Sequence, residues 1–276
     1  MTINQEELRR RFNPDGSLLR RQQMRMLEIL CEVDAICKRH GIRYWLSSGT
    51  LIGAVRHGGF IPWDDDLDIE MLWPDYCRLM KVLPKELPDT MALQTTRTDN
   101  NYFFFYAKVR DRRSHLEEAN RYDRVWQEQG IYIDIFPFYR QPLWIHLLSE
   151  KLQGHVYKIM NRALKADELH GGTAHTDKAM WKVRLITRLN ERLFFPLLRL
   201  LCRLSKARET YGLGIPYHDP RHMEDILPLG EAEFEGKMFP VPKDCHRSLT
   251  LKYGNYMQMP DVDKISVHVG RLTIES

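Results

Sequence analysis

The alternation of apolar and polar residues divides the first part of the chain into a long helix followed by short strands. Over residues 18–40 apolar side chains recur every three or four positions and Gly41 follows them, which predicts an amphipathic helix that stops at Gly41. Residues 42–46 favour a first strand. Residues 66–71, DLDIEM, then alternate acidic and apolar side chains. A strand here would turn its acids to one face and its apolar residues into a core.

The same pattern predicts the remaining elements. A helix starts at Trp73 and closes at about Val82, because Pro84 and Pro88 follow it. The other predicted elements are strands over 91–95, 102–110 and 130–137, helices over 141–164 and 178–206, a loop over 205–225, a hairpin over 229–242 and a closing helix over 243–253. Together they indicate an α/β (α+β) protein with a small mixed sheet and flanking helices.

Five acids fall within seven residues, from Asp64 to Glu70. Carboxylates this close repel one another, and a hard divalent ion such as Mg²⁺ or Mn²⁺ is the usual compensation. Asp66 and Asp68 would stand about 7 Å apart on one strand face, which suits the metal ions of phosphoryl transfer. Upstream, the glycine-bearing turn over 47–50 can present backbone N–H groups to a phosphate. An acidic surface turn is the alternative interpretation.

Two later strands carry charged residues in apolar surroundings. Asp134 is the one acid in the run GIYIDIFP, and burying an unpaired carboxylate is costly. It would be a third metal ligand or a general base beside Asp66 and Asp68, or else a salt-bridged core acid. Lys108 and Arg110 share strand parity, so both would reach a phosphate on one face or else end in water.

Several segments resemble the LicD family, which includes bacterial phosphocholine transferases and is related to the fukutin proteins. Residues 49–69, GTLIGAVRHGGFIPWDDDLDI, resemble the family signature over about twenty consecutive positions. The segments AKVRD, GIYIDIFP, FEGKMFPVPKD and YGNYM resemble further family motifs. The resemblance extends roughly from residue 40 to residue 260.

This resemblance implies a nucleotidyltransferase-like fold and the transfer of a phospho-alcohol from a CDP-activated donor. CDP-choline would be the donor, a hydroxyl of a glycan or lipid-linked glycan the acceptor, and CMP the leaving group. Asp66, Asp68 and Asp134 would be catalytic residues and ligands of Mg²⁺ or Mn²⁺. The residues expected to bind substrate are Ser48, Gly49, Thr50, Arg56, His57, Trp63, Lys108, Arg110 and Lys243.

Other activities remain open from the sequence. The alcohol could be ribitol phosphate or phosphoethanolamine, the transferred group could be a nucleotidyl group, or the chain could be a non-catalytic glycan- or nucleotide-binding module. A choline group would need an aromatic cage. The aromatic residues considered for it are Trp63, Trp73, Tyr102, Tyr106, Tyr132 and Tyr256.

Composition narrows the class of protein. The 276 residues include five cysteines without a C-x-x-C pair, which argues against a disulfide framework or a structural zinc site. A net charge of +4 does not by itself indicate nucleic acid as a partner. No signal-peptide pattern or run of ~20 apolar residues is present, so we expect a cytoplasmic protein. His218 and His222 are four residues apart, but Pro220 lies between them, so no metal site is predicted there.

Charge is concentrated in the second half of the chain. Residues 140–210 hold 14 Lys or Arg and 6 Asp or Glu, a surplus of eight. We therefore expect a catalytic core over 1–139, a basic helical insertion over 140–210 and a C-terminal part over 211–276 that completes the catalytic domain. Residues 192–204 mix arginine with bulky apolar residues, which suits a helix on an anionic bilayer at the inner face of the membrane or a helix packed on the core.

Overall fold

A six-stranded mixed sheet in the order β1-β2-β6-β4-β3, with β7 added to the end of β6, forms the centre of the fold. The computed structural model describes residues 5–207, 209–261 and 269–274. Strands β2 and β6 are parallel, and the other neighbours are antiparallel. The strands of this sheet are β1 (Trp45–Leu46), β2 (Asp68–Leu72), β3 (Met91–Gln94), β4 (Ala107–Asp111), β6 (Tyr132–Arg140) and β7 (Thr210–Gly212).

Two small two-stranded sheets and a set of helices surround it. Strand β5 (Ser114–Glu118) pairs with β10 (Val269–Ile274), and β8 (Gly230–Phe234) pairs with β9 (Lys237–Val241). The helices are α1 (Gln5–Phe12), α2 (Leu18–His40), α3 (Ser48–His57), α4 (Trp73–Glu86), α5 (Leu143–His170), α6 (Ala174–Leu189), α7 (Phe195–Leu204), α8 (Met223–Ile226) and α9 (Cys245–Tyr253).

One face of the central sheet packs on α2 and α4. Ile69, Ile135 and Ala107 lie side by side on β2, β6 and β4, and all three are buried in the main hydrophobic cluster. Helix α2 contributes a continuous apolar face to this cluster. The predicted helix over 18–40 is confirmed, with the Ser17 side chain accepting from the N–H of Arg20 at its start and Gly41 in the left-handed conformation at its end.

The mixed sheet and flanking helices confirm the predicted fold class, with local corrections. Strand β2 begins at Asp68, so Asp66 lies in the loop before it and not on the strand face with Asp68, and the first strand forms only at Trp45–Leu46. Helix α4 continues through Pro84 to Glu86, because a proline in the last turn removes only one backbone hydrogen bond. The predicted strand over 102–110 forms only at Ala107–Asp111, since the aromatic residues before it pack with one another and with α5 and α6. The loop over 205–225 contains β7 and α8.

The basic helices follow β6 and lead back to β7. Helices α5 and α6 pack as a pair, and a π-helical segment, Asn190–Phe194, joins α6 to α7, where Pro196 stands in the first turn. Phe195 and Leu198 of α7 pack against Ile145 of α5 and Tyr139 of β6. Among the described residues, no helix is both long and apolar enough to cross a bilayer. The predicted domain limits at 139 and 210 remain predictions.

Candidate active site

A row of charged residues crosses the sheet on the face opposite α2. Asp68 on β2 lies beside Asp134 on β6, and Asp134 lies beside Lys108 on β4. Neighbouring strands are about 4.8 Å apart, so these side chains are adjacent. Lys108 Nζ lies 2.8 Å from Asp134 Oδ1. We call Asp68, Asp134 and Lys108 the charged row. The three residues are adjacent because β6 pairs with β2 on one side, in parallel, and with β4 on the other.

Burial and mutual repulsion raise the pKa values of the acids in this region. Burial raises the pKa of Asp68 well above its usual range, and the charges of Asp66 and Asp134 raise it further. The pKa of Asp64 is also raised, by burial and then by Asp66. Burial raises the pKa of Asp134 to about 6, although Lys108 acts in the opposite direction. Such a cluster favours a cation among the carboxylates.

The loop between α3 and β2, residues 58–67, carries Asp64, Asp65 and Asp66, and we call it the acidic loop. Two buried side-chain amides of α2 hold its backbone. Gln22 Nε2 donates to the carbonyl of Asp65 over 2.7 Å, and Gln23 Nε2 donates to the carbonyl of Asp64 over 2.9 Å. These hydrogen bonds fix the backbone that presents the acids. Sequence reasoning missed this role, because an amide on the buried face of a helix carries no signal of its distant partner.

The first turn of α3 lies beside Asp68. The backbone N–H of Asp68 donates to Thr50 Oγ1 over 2.8 Å, and Ser48 has a left-handed φ of 51° that non-glycine residues rarely adopt. A Cβ atom on Gly49 would lie 2.7 Å from Asp64 Oδ2, so glycine lets the Asp64 carboxylate lie against the helix in this position. Free N–H groups at a helix start suit a phosphate.

Lys252 and Tyr217 also reach this face, and sequence reasoning did not identify either. Lys252 Nζ on α9 donates to Ser48 Oγ over 2.6 Å, and it lies 5.2 Å from the ring centroid of Tyr217. Burial lowers the pKa of Lys252, while Glu70 and Asp68 act to raise it. Burial, and then the charge of Asp68, raise the pKa of Tyr217. Lys252 directly precedes the YGNYM segment, which was the available signal.

Glu70, the next acid along β2, belongs to an internal ion pair. Its carboxylate accepts from Arg221 Nε over 2.8 Å and from Arg221 Nη2 over 2.6 Å, and it also accepts from Ser47 and from Trp45 Nε1. Burial alone would raise the pKa of Glu70, but Arg221 holds it below the usual value. Glu70 therefore supports the turn that precedes α3.

Arg110 is fully buried, which differs from the expectation that it contacts phosphate. Its guanidinium donates to Gln94 Oε1, to the carbonyl of Gly130 and to Glu118 Oε1, at 2.6, 2.8 and 2.9 Å. Strand parity brings Arg110 to the expected face, but β3 and β5 supply internal partners there. The contacts in the structure give Arg110 a structural role.

Most of the other predicted substrate-binding residues lie at the two ends of α3. Arg56 and His57 end α3, and Trp63 packs near His57 with ring centroids 6.2 Å apart, whereas Ser48, Gly49 and Thr50 begin the helix. Arg56 Nη1 donates to the carbonyl of Tyr256 over 2.6 Å. Lys243 is exposed in the turn before α9. Contacts of these residues with substrate remain predictions.

A cavity of about 370 Å³ lies between α4, α7 and the aromatic segment before β4, and no residue of the charged row lines it. Its walls are mainly aromatic and apolar, and Arg97, Arg199 and Glu191 add charge. The Arg199 guanidinium already lies over Trp73, 4.7 Å from the ring centroid. Lys108 Nζ similarly lies 3.2 Å from the Tyr132 centroid. Two of the aromatic faces considered for a choline cage thus hold cations of the chain itself.

Comparison with known proteins adds independent information. Residues 41–157 match the family described as LicD/FKTN/FKRP, nucleotidyltransferase domain. This segment contains the first turn of α3, the acidic loop and the charged row. The lipopolysaccharide cholinephosphotransferase LicD of Haemophilus influenzae is 28% identical over 265 residues, which cover 91% of this chain and 95% of that protein.

Two shorter similarities concern eukaryotic proteins. The human ribitol 5-phosphate transferase FKRP is 46% identical over 43 residues, 16% of this chain and 9% of that protein. Mannosyltransferase regulator 4 of Saccharomyces cerevisiae is 29% identical over 132 residues, 46% of this chain and 11% of that protein. These matches involve a small part of each longer protein.

Proposed function

We propose that this chain is a LicD-family phosphotransferase that transfers a phospho-alcohol, phosphocholine first of all, from a CDP-activated donor to a hydroxyl of a glycan acceptor with release of CMP. The main observation behind this proposal is that Asp68 lies next to Asp134 in the sheet, beside the first turn of α3. Similarity to the cholinephosphotransferase LicD over most of both chains supports phosphocholine as the transferred group.

The acids of this region fit a hard divalent ion. Asp66, Asp68 and Asp134 offer only carboxylate oxygens. Burial, and after it the charges of neighbouring acids, raise the pKa values of Asp68 and Asp134, and a cation would relieve that repulsion. We propose that these three residues hold Mg²⁺ or Mn²⁺. When bound, the ion would polarise the donor diphosphate and offset its developing charge.

Groups of the chain itself would hold the donor. The N–H groups at the start of α3, where Gly49 leaves room, would bind phosphate oxygens. Lys252 Nζ, 2.6 Å from Ser48 Oγ, would add a positive charge at the same point. Lys108 fixes the orientation of the Asp134 carboxylate through their ion pair. The position of Asp134 beside Asp68 favours a ligand over a general base.

The cavity of about 370 Å³ suits the acceptor better than the choline group. Arg199 lies on the Trp73 face, and a second cation there would be repelled. Aromatic walls with a few charged and hydroxyl groups instead suit a sugar, which presents both apolar faces and hydroxyls. We propose that this cavity receives the glycan, with Tyr106 between it and the charged row.

An exposed apolar surface on helices α5 and α7 supports a lipid-linked acceptor. Leu197, Leu200 and Leu204 of α7 are 51%, 54% and 78% exposed, and Trp144 of α5 is 57% exposed. Arg192 and Arg203 lie on either side of Leu197 and Leu200 in the sequence. We propose that this surface, the α7 surface, contacts anionic lipid at the inner face of the cytoplasmic membrane.

A donor panel tests the reaction. The protein is incubated with Mn²⁺ and CDP-choline, CDP-ethanolamine or CDP-ribitol, each labelled once on the alcohol and once on cytidine, with and without glycan acceptors. We expect CMP and an alcohol-labelled glycan, with CDP-choline the best donor. Cytidine label on the glycan would indicate nucleotidyl transfer. Binding of donors without any turnover would indicate a binding module.

A further inference from the structure

A second group of ligating side chains lies on helix α5, away from the charged row. His146 and Glu150 are one turn apart on α5, and His218 comes from the segment after β7. One potential ligand atom from each lies within 4.8 Å of the others. Among the described residues, this is the one group of three His, Cys, Asp or Glu residues that meets this spacing; Asp66, Asp68 and Asp134 are spread more widely.

His146 is arranged as a metal-binding imidazole. It is completely buried, and its Nδ1 lies 2.9 Å from the carbonyl oxygen of Gly212. A carbonyl only accepts hydrogen bonds, so Nδ1 carries the proton and Nε2 carries the lone pair. Nε2 is buried without a hydrogen-bond partner from the protein. The ring also stacks on Tyr211, with centroids 4.9 Å apart and planes inclined by 18°.

A buried, unpaired acceptor is unfavourable unless something fills its lone pair. Metal-bound histidines commonly donate their other ring N–H to a backbone carbonyl, as His146 does to Gly212. His218 Nε2 lies 3.6 Å from Glu150 Oε1, and the His146 and His218 rings are 5.6 Å apart. His218 is exposed, so solvent can reach the remaining side of the group.

We propose that His146, Glu150 and His218 bind a transition-metal ion of the Zn²⁺ class, with solvent in the open position. Two imidazoles and one carboxylate are donors that Zn²⁺ favours, whereas Mg²⁺ prefers oxygen donors alone. This site is separate from the Asp68–Asp134 region and does not depend on the proposed transfer reaction. The site contains His218 but not His222, and the sequence predicted no metal for the His218–His222 pair.

The bound ion would connect the insertion to the active site. Tyr217 is next to His218 in the chain. Its ring centroid lies 5.6 Å from that of Phe136 and 5.2 Å from Lys252 Nζ. The N–H of Gly214 in this segment already donates to Ser149 Oγ of α5 over 2.9 Å. A metal ligated from both sides would hold Tyr217 against the charged row. Binding to the folded state alone would also raise the thermal stability.

Zn²⁺ binding to purified, chelator-treated full-length protein tests this proposal. The measurements are bound Zn²⁺ per chain after dialysis, titration affinity and the shift of Tm with Zn²⁺. They are made in an Asp68→Asn, Asp134→Asn background, which weakens metal binding at the charged row. The test variants are His218→Ala and Glu150→Gln, which alter less buried side chains, and His155→Ala is the control on an exposed position of α5.

We expect about one Zn²⁺ per chain and a raised Tm in the background protein and in His155→Ala. Loss of either test ligand should weaken Zn²⁺ affinity by more than about tenfold, the lower end of the loss seen for substitutions around metal ligands, and should remove the Tm shift. Absence of Zn²⁺ binding to the background protein would overturn the proposal. Binding that His218→Ala and Glu150→Gln leave unchanged would also overturn it, and would place the ion elsewhere.

Discussion

At the level of single residues, the site brings together charges that repel and charges that offset them. Asp68 and Asp134 are buried side by side, and Lys108 neutralises only the second of them. Lys252 lies at the first turn of α3, where its Nζ donates to the hydroxyl of Ser48. The Asp68–Asp134 pair therefore favours a bound cation, and Lys252 favours a bound anion, as expected where a metal and a diphosphate would bind.

Lys252 and Lys243, two lysines of the C-terminal part, can be distinguished by substitution. Lys252→Met should lower kcat/KM for the donor by about tenfold to 100-fold, since a charge-assisted hydrogen bond contributes about 1.5–3 kcal/mol. Lys243→Met, at the lysine that the sequence favoured, should have a smaller effect because Lys243 is exposed. Steady-state kinetics with varied donor measures both. The reverse order of effects would assign the phosphate contact to Lys243.

At the level of elements, the acidic loop is positioned by tight contacts with its neighbours. Gly53 of α3 lies against the loop, where a Cβ atom would stand 2.4 Å from the carbonyl oxygen of Gly59. Glu235, in the turn between β8 and β9, accepts from the N–H of Phe60 and pairs with Arg20 of α2. Helix α2, helix α3 and the hairpin thus converge on one loop.

Gly53→Ala should destabilise the fold. The new methyl group meets a backbone oxygen that cannot rotate away, and overpacking of this kind costs about 1–3 kcal/mol. Gly154→Ala on α5 is the matched control: its Cβ meets no atom within 4 Å, so we expect a gain of roughly 0.5–1 kcal/mol from helix propensity. Urea unfolding measures both free energies. Equal stability of the two variants would contradict the tight loop contact.

The Arg20–Glu235 pair should make stability depend on pH on the acid side. Burial alone would raise the pKa of Glu235, but hydrogen bonds from Arg20 and the Phe60 N–H hold it below its ordinary value of 4.5. The folded state therefore binds fewer protons than the unfolded state. The contribution is fully present above about pH 4.5 and is lost as pH falls through the folded pKa.

Glu235→Gln should remove this part of the acid dependence, and urea unfolding between about pH 3 and pH 6 measures it. Glu233→Gln, an exposed position two residues earlier, provides the control. If the free energy of unfolding of Glu235→Gln falls with acid as steeply as that of the wild type, the pair does not carry the dependence.

Local patterns determined what the sequence could predict. The alternation of residues 66–71 correctly placed Leu67, Ile69 and Met71 in the core, and turn residues marked the β8–β9 hairpin. Contacts between distant segments carry no such periodicity. The partner of Lys252 is 204 residues away and that of Gln22 is 43 residues away, so the sequence did not show either contact. Arg110 shows the converse, because correct strand parity did not reveal its buried partners.

At the level of the whole molecule, the chain joins a sheet face that carries acidic residues to a basic set of helices. The surplus of eight positive charges over residues 140–210 exceeds the net charge of +4, so the rest of the chain is acidic on balance. The exposed leucines of α7 belong to this basic part. A surface that is both apolar and basic fits a peripheral contact with lipid.

Vesicle flotation tests the α7 surface. The wild type should float with vesicles that contain anionic lipid and much less with neutral vesicles, because each nearby cation adds about 1 kcal/mol. Leu200→Asp with Leu204→Asp should abolish flotation. Leu169→Asp, at a position that is 73% exposed near the end of α5, should leave it intact. Failure of the wild type to float with either vesicle would show that these leucines serve another purpose.

The most direct test of the account is metal-dependent CMP release by the wild type, Asp68→Asn and Asp134→Asn, with the best CDP-alcohol and its acceptor. Loss of a ligand from a metal that contributes several kcal/mol should lower the rate by about 10³-fold or more in both variants while circular dichroism stays unchanged. Asp89→Asn, at an exposed turn residue, should keep full activity. Near-normal CMP release by a folded Asp68→Asn or Asp134→Asn protein would contradict the assignment of the catalytic centre.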